Sequence, residues 1–237
     1  MCVQYKVQTE AQSLLRQLRA TRQGDLPWPG HVFPRYAAPV AAWGKGGRVL
    51  RTMRFGLVPF YEKSAQPKRV FHNARSETIA EKPSFRQPFL ERRCLVPMAG
   101  FFEYIWVSDK DNWLAWFAPE DGRLLVSAGI WHPWRGPEGA VVDSFAIVTR
   151  DPPESISRAG HDRCPVFLPE TAWDDWLDPS QRDLEQLAAL MRRTEPVTFI
   201  VTEVPKPSRR KQPGRASKAQ PDLPLGEADA PMAGEKD

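Results

Sequence analysis

The sequence predicts an α+β fold in which strands dominate. Three observations carry that expectation. Short runs with strand character recur along the first 204 residues, separated by turn residues. Helical periodicity is confined to one stretch near the N-terminus and two late ones. Strands and helices do not alternate regularly, which argues against a doubly wound parallel sheet.

In chain order, Val3-Gln-Tyr-Lys-Val7 alternates as a strand does, and Thr9 can cap a helix over about Glu10–Leu18 with Leu14, Leu15 and Leu18 on one face. A Pro-rich loop follows from Leu26 to Pro39. Pro39–Trp43 and Arg48–Phe55 flank Gly44-Lys-Gly-Gly47, a strong hairpin signal. Cys94–Pro97, Gly100–Val107, Trp113–Ala118, Leu124–Trp131 and Ser144–Thr149 are further strands. Late helices are expected over Pro169–Leu177 and Ser180–Arg193, the second with Leu184, Leu187, Ala188 and Met191 at helical spacing, before a closing strand Thr198–Val204.

Residues 1–204 read as one domain. With 41% hydrophobic and 11% aromatic residues in 237, the chain can bury a core. The last 33 residues differ: six prolines, no aromatic, no Val or Ile, basic over Lys206–Lys218 and mostly acidic over Asp222–Asp237. Such a composition buries too little apolar surface to offset its ordering entropy, so 205–237 is expected to be a disordered tail. The tail carries seven basic and five acidic residues, leaving 26 and 24 over the rest, so any nucleic-acid site must be a local patch. No apolar run is long enough to cross a bilayer, and the N-terminus lacks the apolar stretch of a signal peptide; the expectation is a cytoplasmic protein without a membrane association. No Cys-x-x-Cys pair occurs among Cys2, Cys94 and Cys164, no metal or cofactor is implied, and Cys94 and Cys164, beside apolar residues, read as buried thiols.

Four places can carry chemistry. Removal of Met1 would leave Cys2 with a free α-amine beside its thiol, with pKa values near ~7.7–8.0 and ~8.5, so both are partly nucleophilic at neutral pH. Such a 1,2-aminothiol condenses with an aldehyde to an imine and then closes a thiazolidine; the alternative is an accident of the start codon. In Phe71-His-Asn-Ala-Arg-Ser-Glu-Thr78, Asn73, Arg75 and Glu77 share one face of an extended segment, offering either a site or an internal Arg75–Glu77 contact. Glu103 is a single carboxylate within apolar Val96–Tyr104, suited to acid/base work if buried, or else the solvent side of an amphipathic strand. In Gly160-His-Asp-Arg-Cys-Pro-Val166, His161 can move protons near pH 7, Asp162 can orient a neighbour and Arg163 can hold phosphate. Cys2, Asn73 and His161 also hold the residue types of a thiol peptidase, in an unusual order.

Together these motifs resemble the SRAP (SOS response-associated peptidase) family of abasic-site processing proteins. The matches are Met1-Cys2, Arg35-Tyr36-Ala-Ala-Pro39, Phe55-Gly-Leu-Val-Pro59, Asn73-Ala-Arg-Ser-Glu-Thr78, Arg93-Cys-Leu-Val-Pro97, Gly100-Phe-Phe-Glu-Tyr104 and His161-Asp-Arg-Cys-Pro-Val166, in the family's order over about residues 1–178. The resemblance implies a β-rich pseudo-barrel of mixed and antiparallel strands with flanking helices. It implies a monomer that binds single-stranded DNA or single-strand/duplex junctions and attaches covalently to abasic sites as part of DNA repair in the SOS response. Cys2 then matches the nucleophile, freed by a Met1 removal that can be autoproteolytic. Asn73 matches the residue that positions the amine and the opened sugar, Glu103 the acid/base residue, and His161 the proton-transfer residue. Arg75 and Arg163 match arginines that grip phosphate, and Arg35, Pro39 and Arg86 complete the implied DNA contacts. An imine stage also admits strand cleavage of the lyase type. The chain departs from the family at Val3 and Gln4, where Gly and Arg are usual, at Ala37-Ala38, and at Phe55 and Tyr61, where Trp is usual. A Cys2-dependent peptidase or amidohydrolase and a non-covalent single-strand binding module are the competing readings.

Overall fold

The computed structural model describes residues 3–7, 10–106, 108 and 111–204; Cys2, the Thr9 cap, Val107 and the tail 205–237 therefore lie outside the described residues. In order the elements are β1 (Gln4–Lys6), α1 (Ala11–Gln17), β2 (Thr21–Arg22), β3 (His31–Val32), β4 (Ala37–Gly44), β5 (Gly47–Phe55), β6 (Asn73–Arg75), α2 (Pro83–Glu91), β7 (Arg93–Met98), β8 (Gly100–Trp106), β9 (Asn112–Pro119), β10 (Leu125–Arg135), β11 (Val141–Arg150), α3 (Glu154–Arg158), β12 (Cys164–Pro165), α4 (Trp173–Leu177), α5 (Leu184–Arg192) and β13 (Phe199–Val204).

The Gly-rich signal at 44–47 is a hairpin whose last pair is Gly44 opposite Gly47, leaving Lys45-Gly46 as the turn. Gly46 takes φ +87°, a left-handed position that side chains rarely adopt. From this hairpin a ring is built. β7 pairs with β4, β10 with β7 and β11 with β10, all antiparallel. β11 then returns to β5 in parallel, with Ser144 opposite Arg54 and Phe145 opposite Phe55. Five strands thus close on themselves, which removes the exposed edges of an open sheet. A second, antiparallel sheet runs β13-β9-β8-β1-β3. The result is the β-rich, barrel-like α+β architecture with flanking helices.

Every residue of β7 is buried, because one face lines the ring and the other lies under helices; this is why Arg93–Met98 reads as a nearly unbroken apolar run. Aromatic rings join the two sheets. Tyr5 of β1 meets Phe55 of β5 edge-on at 5.4 Å; within the second sheet, the stacked Phe101–Phe117 pair (5.0 Å) packs against Phe199.

Two differences from the sequence expectation have clear causes. The loop expected over Leu26–Pro39 contains β3 and the start of β4. α2 has no counterpart among the expected helices, because Pro88 sits inside it; Pro83 in its first turn is where proline belongs.

His132 of β10 gives the fold a pH signature. Burial, helped by the Arg92 cation, lowers its pKa to about 4. A histidine held neutral contributes stability that is complete above its unfolded pKa of roughly 6.5 and is lost as pH falls toward the folded value. Denaturation midpoints are therefore expected to be flat above about pH 6.5 and to fall between there and pH 4, by an amount of order 2–3 kcal/mol from this group. His132→Gln, which takes up no proton in this range, should lack that fall. Urea titrations of both proteins at several pH values check it.

Candidate active site

Glu103 is the fourth residue of β8. Strand alternation puts it on the face of Phe101 and Ile105, and across the ladder to β9 it meets the small Ala115. That face is turned into the protein: Glu103 is 4% exposed, so the solvent-side alternative does not hold. Its Oε2 lies 3.0 Å from Nε2 of His161, itself 7% exposed.

His161 reaches that place through a helix ending. α3 closes with Gly160 N–H donating to Ser157 O at 2.9 Å and His161 N–H to Ile156 O at 3.3 Å. This pattern needs a left-handed residue after the helix, and Gly160 has φ +89°. The motif thereby fixes the main chain that carries the imidazole. Nδ1 lies 2.8 Å from Arg163 O and 3.1 Å from Arg163 N. A protonated Nδ1 donates to that carbonyl and an unprotonated one accepts from that N–H, so the ring keeps its orientation in either state. Asp162 is not the orienting group: its carboxylate is 4.0 Å from Nδ1 and its side chain points to solvent.

Asn73 and Arg75 lie on β6, which adds to β11 in parallel with Asn73 opposite Ile147 and Arg75 opposite Thr149. β12, which follows His161-Asp-Arg163 directly, pairs with β11 at Thr149 and Arg150. The end of β11 is therefore the floor that brings the Asn73 segment and the His161 segment together. Arg75 is exposed and Asn73 is half-buried. The extended alternation stops at Arg75, and Glu77 lies in the turn beyond it. The expected Arg75–Glu77 contact is replaced by a pair between Glu77 and Arg163, 86 residues away: Nη1 donates to Oε1 at 3.0 Å and Nη2 to Oε2 at 2.9 Å. Burial alone would push the Glu77 carboxyl up; the hydrogen bonds and charge of Arg163, with backbone N–H donors, hold it below the usual carboxylate range. Arg163 also donates to Asp151 at 2.9 Å and to Thr149 O at 2.8 Å. Asp151, Thr149 and the Glu77 pairing carried no separate sequence signal.

The remaining positions divide sharply. Pro39 lies buried in β4 opposite Thr52. Arg35 and Arg86 are exposed, each donating to a main-chain carbonyl, Pro67 O at 2.6 Å and Ala80 O at 2.7 Å. Gln4 is buried in β1 opposite Phe102. Phe60 and Tyr61 are exposed, and a 2.8 Å hydrogen bond between the Tyr61 and Ser84 hydroxyls fixes the Tyr61 ring. Burial pushes the Cys94 thiol up and the Cys164 thiol up to about 12, which leaves both protonated and unreactive at neutral pH. Among the described residues no helix is long and apolar enough to cross a membrane.

A family model described as SOS response associated peptidase (SRAP) matches residues 1–207. The chain is 33% identical over 143 residues to abasic site processing protein YoqW of Bacillus subtilis, covering 60% of this chain and 63% of that one. It is 32% identical over 201 residues to abasic site processing protein HMCES of Pongo abelii, covering 70% and 56%. The chain thus spans less than two thirds of the length of either relative. Crystal structures of a Bordetella bronchiseptica protein and a Bacteroides thetaiotaomicron protein share the fold, each with a TM-score of 0.72 at 23% identity over 86% of this chain.

Proposed function

The chain belongs to the SOS response associated peptidase family, and from that premise we propose that it processes abasic sites in single-stranded DNA by covalent capture through Cys2. The observation that carries the reading is the buried Glu103–His161 contact of 3.0 Å. Relatives at about 30% identity are named abasic site processing proteins, which supports a role in that process.

An abasic deoxyribose is mostly a closed hemiacetal. Opening it requires a proton delivered to the ring oxygen and another removed from the anomeric hydroxyl. A carboxyl and an imidazole in contact, shielded from bulk water, can carry those two protons between them. The aldehyde so formed is attacked by the α-amine of Cys2 once Met1 is gone; loss of water gives the imine, and addition of the thiolate to the imine carbon closes the thiazolidine. Asn73 orients the amine and the opened sugar. Ring closure withdraws the imine before β-elimination can cut the strand. Cys2 lies outside the described residues. What supports its part is the register of β1, which puts Gln4 opposite Phe102, the residue before Glu103. Two residues of chain span at most about 7 Å, which bounds the distance from Gln4 at which the amine can act. Arg75, Arg35 and Arg86, all exposed, supply phosphate contacts without sequence preference, and Phe60 and Tyr61 offer faces on which bases stack.

The test is intact mass of the purified protein before and after incubation with a single-stranded oligonucleotide carrying one abasic site. The expected result is loss of Met1 and a stable adduct of protein plus oligonucleotide, absent from Cys2→Ala. A Met1-free protein that forms no adduct overturns the proposal; turnover of peptides lost in Cys2→Ala would assign it instead to a thiol peptidase.

A further inference from the structure

We infer that Arg54, together with Arg35, is a positioning residue: it clasps the loop 58–70 so that Phe60 and Tyr61 meet a single strand as a face already formed. This rests on the proposed binding of single-stranded DNA for what the loop presents, and on the loop's own contacts for how it is held.

Residues 58–70 contain neither helix nor strand. Their two ends are pinned together, as in a compact surface loop. Leu57 and Phe71 exchange main-chain hydrogen bonds of 2.9 and 3.1 Å. Gly56 turns the chain at φ +105°, and a Cβ there would lie 2.7 Å from the side chain of Val70. A stretch this long without regular structure leaves carbonyls that need donors. Three side chains on or beside the ring strands supply them. Trp134 Nε1 donates to Glu62 O at 2.8 Å, Arg54 Nη2 to Ala65 O at 2.5 Å and Arg35 Nη2 to Pro67 O at 2.6 Å. From α2, Ser84 adds its hydroxyl bond to Tyr61.

The loop so held sorts its side chains. Pro59 and Pro67 are buried, whereas Phe60, Tyr61, Lys63, Lys68 and Arg69 are exposed. The Phe60 and Tyr61 rings meet edge-on at 5.3 Å. Aromatic faces among cations are what a single strand binds without regard to sequence. A loop ordered only on binding would subtract that ordering from the affinity; one held beforehand does not. Arg54 is the clasp with the clearest assignment. It is half-buried on β5 and gives its charged donor to a carbonyl, not to a carboxylate. Burial and the Arg35 cation bring its pKa down to about 10, so it stays charged at neutral pH. Two like charges thus stand together at one loop, and an anionic strand laid over it would offset their repulsion.

Arg54→Met keeps the stem and loses the donor, and thermal melts confirm that it folds. Three readings are taken: tryptic cleavage at Lys63, Lys68 and Arg69; affinity for an undamaged single-stranded oligonucleotide with its salt slope; and capture of an abasic oligonucleotide at saturation. Loop cleavage should be at least about 10-fold faster, as loss of a hydrogen bond from a charged donor allows. Affinity should fall by about 5-fold, the lower end of what one stacked base contributes, with the slope unchanged and saturated capture within about two-fold. That loss should shrink below about two-fold when Arg54→Met is added to a Phe60→Ala, Tyr61→Ala protein, because the rings it presents are gone. An undiminished loss in that background, a slope lowered by about 0.7 as for a phosphate contact, or cleavage at the wild-type rate overturns the inference. If Arg54→Met does not fold, Arg54→Lys, which keeps the charge without the fork, decides by the same readings. A wild-type protein that binds the strand yet captures nothing refutes the proposed function, while cleavage and coupling still decide the role of Arg54.

Discussion

Exchanging Glu103 for Gln is expected to slow capture of an abasic site by about 10²- to 10⁴-fold, the range for loss of a positioned acid/base group. The amide is nearly the same size and can stay against Nε2 of His161, now 3.0 Å from the carboxylate, so packing beside Ala115 is preserved. What it cannot do is take and return a proton. Affinity for undamaged single strand should therefore be unchanged, and the loss should appear in the rate at saturating substrate. Single-turnover capture of an abasic oligonucleotide, followed by denaturing electrophoresis, measures it. A Gln variant that captures at the wild-type rate would remove Glu103 from the proton path and leave His161 to act alone.

The second large effect concerns the fold rather than the chemistry. Arg93 is 2% exposed and its guanidinium donates to five main-chain carbonyls: Phe89 at 2.6 Å, Leu90 at 2.9 Å, Gln181 at 3.0 Å, Trp176 and Asp178. Phe89 and Leu90 are in the last turn of α2, and Trp176 is in that of α4. Those carbonyls have no partner within their own helices, and the negative helix ends favour a cation. Burial brings the Arg93 pKa down to about 10, against the pull of Asp178, so the group stays charged at neutral pH. Arg93→Met keeps the stem and orphans the acceptors. Each buried group left without a partner costs about 1–3 kcal/mol, so the variant should lose several kcal/mol and melt at least about 10 °C lower. Scanning calorimetry of the two proteins is the check, and a loss below about 1 kcal/mol would mean that water replaces the guanidinium.

How much of this was readable beforehand can be judged from particular residues. The hairpin at Gly44–Gly47 and the strands around Cys94, Gly100, Trp113, Leu124 and Ser144 carry their own turn and periodicity signals, and all form. β2, β3 and β12 have two residues each, and their hydrogen bonds come from partners distant in sequence, so no local pattern marks them. The closure of β11 on β5 joins residues about ninety positions apart, and only the family resemblance anticipated a barrel. Among site residues, chemistry singled out Glu103 and His161, but not that they touch. The spacing of Arg75 and Glu77 suggested each as the other's partner, whereas the turn after β6 hands Glu77 to Arg163. Pro39 shows the same limit: a motif fixes a residue's identity and not which side of a strand it occupies.

β11 is at once a stave of the closed ring and the strand on which both the Asn73 and the His161 segments are hung. Regions that move in many proteins belong to cooperative units that open well below the cost of global unfolding. Here the Asn73 and His161 segments, which the proposed capture uses, are anchored to a strand of the closed ring. Loss of function on heating or in denaturant should then coincide with collapse of the whole barrel, and an unfolding chain would pass through no long-lived form that keeps its scaffold but has lost its reactive centre.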